Sequence, residues 1–179
     1  ELCYLHKTEL LLEADYGEMT TINKGVPGDT SFMGLARLEE DLQGIDAYYF
    51  LTMFGTNDVT RLRFDLDEIT EVLRTIVTRA RTDYGMFPVI STIPPQKKMV
   101  NGEWVQQFPG RTIDLNAAII QMATANNVPY IDSYTAFFNS PDYTWIELLE
   151  PFKGNHPGAL GHDIMAALFK EKIEAAPPK

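Results

Sequence analysis

The sequence predicts a single doubly wound α/β domain, with a mostly parallel sheet and helices on both faces. Three observations carry this. Short apolar runs rich in β-branched and aromatic residues alternate with segments whose apolar residues recur at helical spacing. The segments between the runs have the length that a parallel crossover connection needs. No internal repeat or linker divides the 179 residues, a length that suits one domain, 1–179, with a sizeable core.

Glu1 to Tyr16 is leucine-rich and ends at Gly17, which predicts a helix and its stop. Met19–Asn23 is short and β-branched, and is expected to be a strand. A loop with two glycines and a proline, Lys24 to Ser31, leads to a helix over about Ser31–Gln43, marked by Leu35, Leu38 and Leu42. Ala47–Met53 reads as a strand buried on both faces. Phe54–Val59 follows as a turn at its carboxyl end.

Leu66, Ile69, Leu73, Ile76, Val77 and Ala80 trace one face of a long helix up to Tyr84, with Asp65 or a neighbour as its cap. Phe87–Thr92 is the next buried strand, ended by Pro94-Pro95. Asn101-Gly102 between short apolar runs predicts a small hairpin within Gln96–Gly110. A helix over about Arg111–Asn126 and a last strand at Pro129–Asp132 complete the alternation. Short helical turns and loops are expected over Ser133–Phe152, then a helix through Leu160, Ile164, Ala167 and Leu168, and a fraying tail from Ala175.

A formal net charge of −10 disfavours nucleic-acid and anionic-membrane partners by repulsion. The lone cysteine, Cys3, excludes an internal disulfide and cannot by itself build a thiolate metal site. No convincing metal-ligand set or phosphate-binding loop is visible, so no cofactor is expected. No apolar run is long enough to span a bilayer. Because Glu1 falls inside a helical pattern, a preceding segment is expected, any signal peptide included, and cytoplasmic and secreted locations both stay open. Oligomeric state, a homo-oligomer included, is likewise open.

In open α/β sheets ligands bind at the carboxyl ends of the strands. Three loops could meet there: those carrying Gly28, Asn57-Asp58, and Gly154-Asn155-His156-Pro157. A glycine amide and an asparagine side-chain amide suit a developing oxyanion, and a histidine moves a proton near neutral pH. This is most of a hydrolase without an obvious nucleophile.

The run Asn23 to Ser31, then Gly55-Thr56-Asn57-Asp58, then Asn155-His156-Pro157 with Gly161 and Met165-Ala166, resembles three sequence blocks of the SGNH hydrolases, also called GDSL esterases and lipases. The blocks occur in order and cover nearly the whole chain. The resemblance implies a flavodoxin-like fold and a small-molecule ester as substrate. It implies that Gly28 and Asn57 form the oxyanion hole, that His156 is the general base, and that Asp58 supports the site locally. The family's Gly-Asp-Ser block, with its nucleophile and the first strand, is missing from this sequence and would lie upstream of Glu1. With the sheet order 2-1-3-4-5, that strand would sit between Met19–Asn23 and Ala47–Met53.

The family's histidine-orienting aspartate falls at Lys153, which cannot accept an imidazole N–H. Glu150 is the nearest upstream carboxylate and the candidate replacement. Ser31 is the candidate substitute nucleophile, although the surrounding block suits it better as a helix cap. His6 and His162 read as surface or packing residues, and the aromatics from Tyr134 to Trp145 as packing. Two functions are expected to compete. One is a serine esterase hydrolysing short acyl esters, acetyl among them, through an acyl-enzyme. The other is a catalytically silent member of the fold that binds a carbohydrate or acyl ligand.

Overall fold

The computed structural model describes residues 3–152 and 154–175. In chain order the elements are α1 (Tyr4–Tyr16), α2 (Ser31–Ala36), α3 (Leu38–Leu42), β1 (Tyr49–Thr52), α4 (Thr56–Arg61), α5 (Leu66–Thr82) and β2 (Phe87–Ser91). There follow β3 (Lys97–Val100), β4 (Glu103–Gln106), α6 (Pro109–Ala125), β5 (Tyr130–Ile131), α7 (Ser133–Phe138) and α8 (Ala159–Glu174). The fold is the expected α/β layer. Its sheet is parallel, ordered β1-β2-β5, with Leu51 opposite Val89 and Ser91 opposite Ile131.

Side chains alternate across a strand, and β2 uses both faces. Ile90 packs with Ile69, Leu73 and Val77 of α5 and Leu115 and Ile119 of α6. Val89 packs on the other face with Phe137, Met165 and Phe169 of α7 and α8. Helix α1 lies against α8, where Tyr4 stacks on Phe169 and its N–H donates to His162 Nδ1 at 3.2 Å. Lys7 and Lys170 pair with Asp163 and Asp15 along the same seam. His162 is therefore part of the packing, and His6 pairs with Glu9 on α1.

Several expectations hold with tighter bounds. Helix α5 starts from a capping box in which Glu68 accepts from the Asp65 N–H at 2.9 Å. The Asn101-Gly102 turn joins β3 to β4, both residues having positive φ (51° and 86°), as a two-residue hairpin loop with the strand twist requires. Glu1 and the tail beyond Ala175 lie outside the described residues.

Three expectations change. The helix over 31–43 is two helices meeting at Arg37, whose guanidinium is held sideways by Asp29 and Asp41. Residues 54–59 are more than a turn, because α4 begins at Thr56. Residues 19–23 form no strand. A strand exists only by pairing, and these residues face β1 across a cavity of about 810 Å³ rather than at ladder distance. Side chains of α1 serve their backbone instead. Glu9 accepts from the Thr21 N–H at 2.6 Å and from its hydroxyl, and Glu13 accepts from the Met19 N–H at 3.4 Å.

Candidate active site

The cavity runs between β1 and residues 18–29, and its lining includes Gly28, Asp29, Gly55, Asn57, Asn155 and His156. Two of the three loops are tied together directly. Asn57 stands in the first turn of α4, and its Nδ2 donates to the Asp29 carbonyl at 2.9 Å. Arg61, one turn further on, donates from Nη2 to the Gly28 carbonyl at 2.6 Å. Gly28 occupies a left-handed backbone (φ +88°) that a side chain would strain.

Asp58 is the fixed point beneath this surface. It is fully buried (0% exposed), and its carboxylate accepts from the Ser31 N–H at 3.0 and 3.2 Å and from the Ser31 hydroxyl at 2.7 Å. Charge-assisted bonds of this kind are roughly twice as strong as neutral ones. The N-terminal end of α2 is also the positive end of its dipole, which favours the carboxylate. Asp58 thus holds the end of the glycine-bearing loop while Asn57 and Arg61 hold its middle.

Ser31 is correspondingly buried, with its hydroxyl committed to Asp58. It is not the cap of α2. Thr30 is, accepting from the Met33 N–H at 3.4 Å. Ser91, the last residue of β2, and Ser133, the first of α7, bond to each other at 2.8 Å inside the protein.

The sharp entry into α4 depends on Gly55. Its φ is +125°, and a Cβ there would meet Leu115 Cδ2 at 2.9 Å and Ile93 Cγ2 at 3.1 Å. Only glycine satisfies both the dihedral and the packing.

His156 lies on the third loop, exposed at the cavity's edge. Its backbone is well held: its carbonyl accepts from the Glu150 N–H at 3.0 Å, Leu149 and Pro157 form an antiparallel bridge, and the Gly158 N–H reaches the Leu148 carbonyl at 2.8 Å. Its imidazole has no hydrogen-bond partner among the described residues. Glu150 meets His156 through its backbone, and Lys153 lies outside the described residues.

Sequence reasoning missed Lys97. Although it opens a hairpin strand, Lys97 is only 4% exposed, and its Nζ donates to the carbonyls of Ile146 and Leu149 at 2.8 and 3.3 Å. Desolvation holds its pKa below the usual lysine range. The sequence signal was thin: a lysine pair, Lys97-Lys98, just past two prolines.

Tyr134, Phe138 and Trp145 pack against one another, and the Tyr134 hydroxyl accepts from Gln106 Nε2 at 2.6 Å. Among the described residues no cluster of three His, Cys, Asp or Glu side chains could hold a metal ion, and no helix is long and apolar enough to cross a membrane. Chemically, the rim offers amide donors on one side and an imidazole on the other, which suits a reaction that develops negative charge and moves one proton.

Known proteins resemble the chain in sequence and in fold. Residues 5–164 match the model of the GDSL-like lipase/acylhydrolase family. An acetylxylan esterase of Geobacillus stearothermophilus is 28% identical over 176 residues, covering 91% of this chain and 77% of that protein. Among solved structures, the lipase/acylhydrolase from Enterococcus faecalis superposes with a TM-score of 0.81 at 25% identity, covering 98% of this chain and 87% of that one. A GDSL-like lipase from Bacteroides thetaiotaomicron superposes with a TM-score of 0.76 at 24% identity, over 97% and 83% of the two chains. The chain belongs to the GDSL-like lipase/acylhydrolase family.

Proposed function

We propose that this protein is a serine esterase that hydrolyses short-chain acyl esters, acetyl esters of sugars first among them, through an acyl-enzyme. The family supports hydrolysis of esters, and the acetylxylan esterase relative supports the acetyl group and the carbohydrate alcohol. The observation that carries the reading is the bond from Asn57 Nδ2 to the Asp29 carbonyl, which brings an amide donor beside Gly28 at the rim that His156 shares.

In this mechanism a serine hydroxyl attacks the ester carbon and His156 takes its proton. The carbonyl π electrons move onto oxygen, and the Gly28 N–H and the second Asn57 N–H stabilise that oxyanion. Collapse expels the alcohol, which receives the proton from His156, and water then releases the acid by the same steps in reverse order. The nucleophile is a serine expected ahead of Glu1 in place of Ser31, whose hydroxyl is donated to buried Asp58. Asp58 supports the loop and does not react.

The test is turnover of p-nitrophenyl acetate together with labelling by a fluorophosphonate. The Asn57→Ala protein should keep its fold and lose about 100- to 1,000-fold in kcat; unchanged turnover would refute the assignment of Asn57. Lys153, at the position of the family's histidine-orienting aspartate, favours a second reading, a silent ligand-binding member of the fold. Absence of both turnover and label on the full-length protein would select that reading.

A further inference from the structure

Among the described residues, the loop bearing His156 has no helix or strand of its own between α7 and α8, yet its path is held from the neighbouring hairpin. Lys97 reaches it at three places. Its backbone N–H donates to the Gly154 carbonyl at 2.6 Å, and its Nζ donates to the carbonyls of Ile146 and Leu149 at 2.8 and 3.3 Å. Leu149 in turn bridges Pro157, and the next residue, Glu150, donates its N–H to the His156 carbonyl. The Lys97 side chain thus holds one strand of the small bridge that flanks His156, and its backbone touches the loop two residues before it.

The hairpin end is fixed equally well. The Lys97 ammonium lies 4.8 Å from the centre of the Trp104 ring on β4, and the Gln107 N–H donates to the Gln96 carbonyl at 2.7 Å. Asn116 of α6 bonds both the N–H and the carbonyl of Ile93, at 2.8 and 2.9 Å, which anchors the segment entering β3. The approach is tight as well, because a Cβ on Gly154 would fall 1.7 Å from the Lys97 carbonyl oxygen.

A lysine on a hairpin strand can reach water at little cost, as exposed Lys98 does. Lys97 instead gives up its hydration, which burial makes expensive. Apolar contact would fill the space without that cost, so what distinguishes lysine here is its donors. Leu149 and Ile146 offer two carbonyls at the base of the loop, and a flexible stem with a multi-donor head satisfies both.

We propose that Lys97 is a positioning residue for His156, a buried tether that sets where the imidazole stands relative to the Gly28 and Asn57 donors. It acts through the Ile146–Leu149 carbonyls and the Leu149–Pro157 bridge and does not touch the substrate. The proposal rests on the reading of His156 as the general base. Misplacement of a reacting group by about 1 Å costs on the order of 100-fold in rate, so a tether of this kind controls turnover from outside the cavity.

The test compares the native protein with Lys97→Met, and with Lys97→Cys, Cys3→Ser alkylated by 2-bromoethylamine in urea and refolded, which rebuilds a lysine-like amine. Amide hydrogen exchange is read at Glu150 and Gly158, and at Ile90 and Thr92 of the sheet as the internal reference. Expected for Lys97→Met is exchange at least about tenfold faster at Glu150 and Gly158 with the sheet amides unchanged. On p-nitrophenyl acetate, kcat should fall about 10- to 100-fold with KM within about twofold. Alkylation should restore both. Unchanged exchange at Glu150 and Gly158, equal acceleration in the sheet, or full kcat in Lys97→Met would overturn the proposal. Should Lys97→Met fail to fold, the cysteine variant before and after alkylation makes the same comparison. A native protein without esterase turnover sinks the functional reading, while the exchange pattern still tests the tether.

Discussion

Asp58 is the residue whose removal the structure constrains most closely. Its carboxylate accepts from the backbone and the hydroxyl of Ser31 in a site closed to water. A hydrogen bond to a charged group contributes roughly 1.5–3 kcal/mol, and a buried donor left without an acceptor costs about 1–3 kcal/mol. Asp58→Ala loses two such bonds and strands both donors, and since those losses overlap, the net expectation is about 3–5 kcal/mol. For a domain of 179 residues this is a fall in Tm of roughly 6–20 °C. Asp58→Asn keeps one acceptor oxygen and should lie between, at about 1–3 kcal/mol.

The assay is equilibrium urea unfolding, with Ser31→Ala and the Ser31→Ala, Asp58→Ala double variant completing a cycle. Because both residues share one interaction, the double variant should be more stable than the sum of the single losses predicts by at least about 1 kcal/mol. A loss in Asp58→Ala under about 1 kcal/mol, or strict additivity in the cycle, would refute the reasoning.

Two further outcomes are expected. The Thr21 hydroxyl and backbone N–H hold the Glu9 carboxyl below the ordinary glutamate range, so its contribution to stability is present above that range and is lost as pH falls through the lower folded value. The stability margin of the native protein over Glu9→Gln should therefore shrink between pH 5 and about pH 3, and a margin that does not change with pH would contradict this. At Gly154 an added Cβ would meet the Lys97 carbonyl oxygen at 1.7 Å, and backbone cannot step aside. Gly154→Ala should then cost about 1–3 kcal/mol by urea unfolding, with native-like stability as the contrary result.

The alternation of strands and crossover helices was legible because both periods are written in side chains: Ile69, Leu73, Ile76 and Ala80 at helical spacing, and continuous apolar residues in β2. The capping box at Asp65 and the hairpin at Asn101-Gly102 were legible for the same reason, since local chemistry decides them. Residues 19–23 misled because β propensity measures fitness for a pleated surface and says nothing about whether a partner strand stands at ladder distance. Helix α4 was hidden inside what read as a turn, because Asn57 and Asp58 suit turns equally well and only their bonds to Asp29 and Ser31 set them apart. Lys97 was invisible for a deeper reason. Its role depends on two carbonyls about fifty residues away in sequence, and a carbonyl has the same identity at every position.

Strand β1 is paired with β2 on one side alone among the described residues. The Tyr48 carbonyl is turned toward β2, where it accepts from the Phe87 N–H; by alternation along the strand, the N–H and carbonyl of Leu51 point the opposite way, toward the cavity. The unpaired groups of that edge face residues 18–29 across the cavity, so a further strand laid there would find donors and acceptors already aligned. Between copies of the chain, a formal charge of −10 acts as a long-range repulsion. That repulsion reaches only about 10 Å at 0.1 M salt and about 3 Å at 1 M. The repulsion between copies is therefore weakest at high ionic strength.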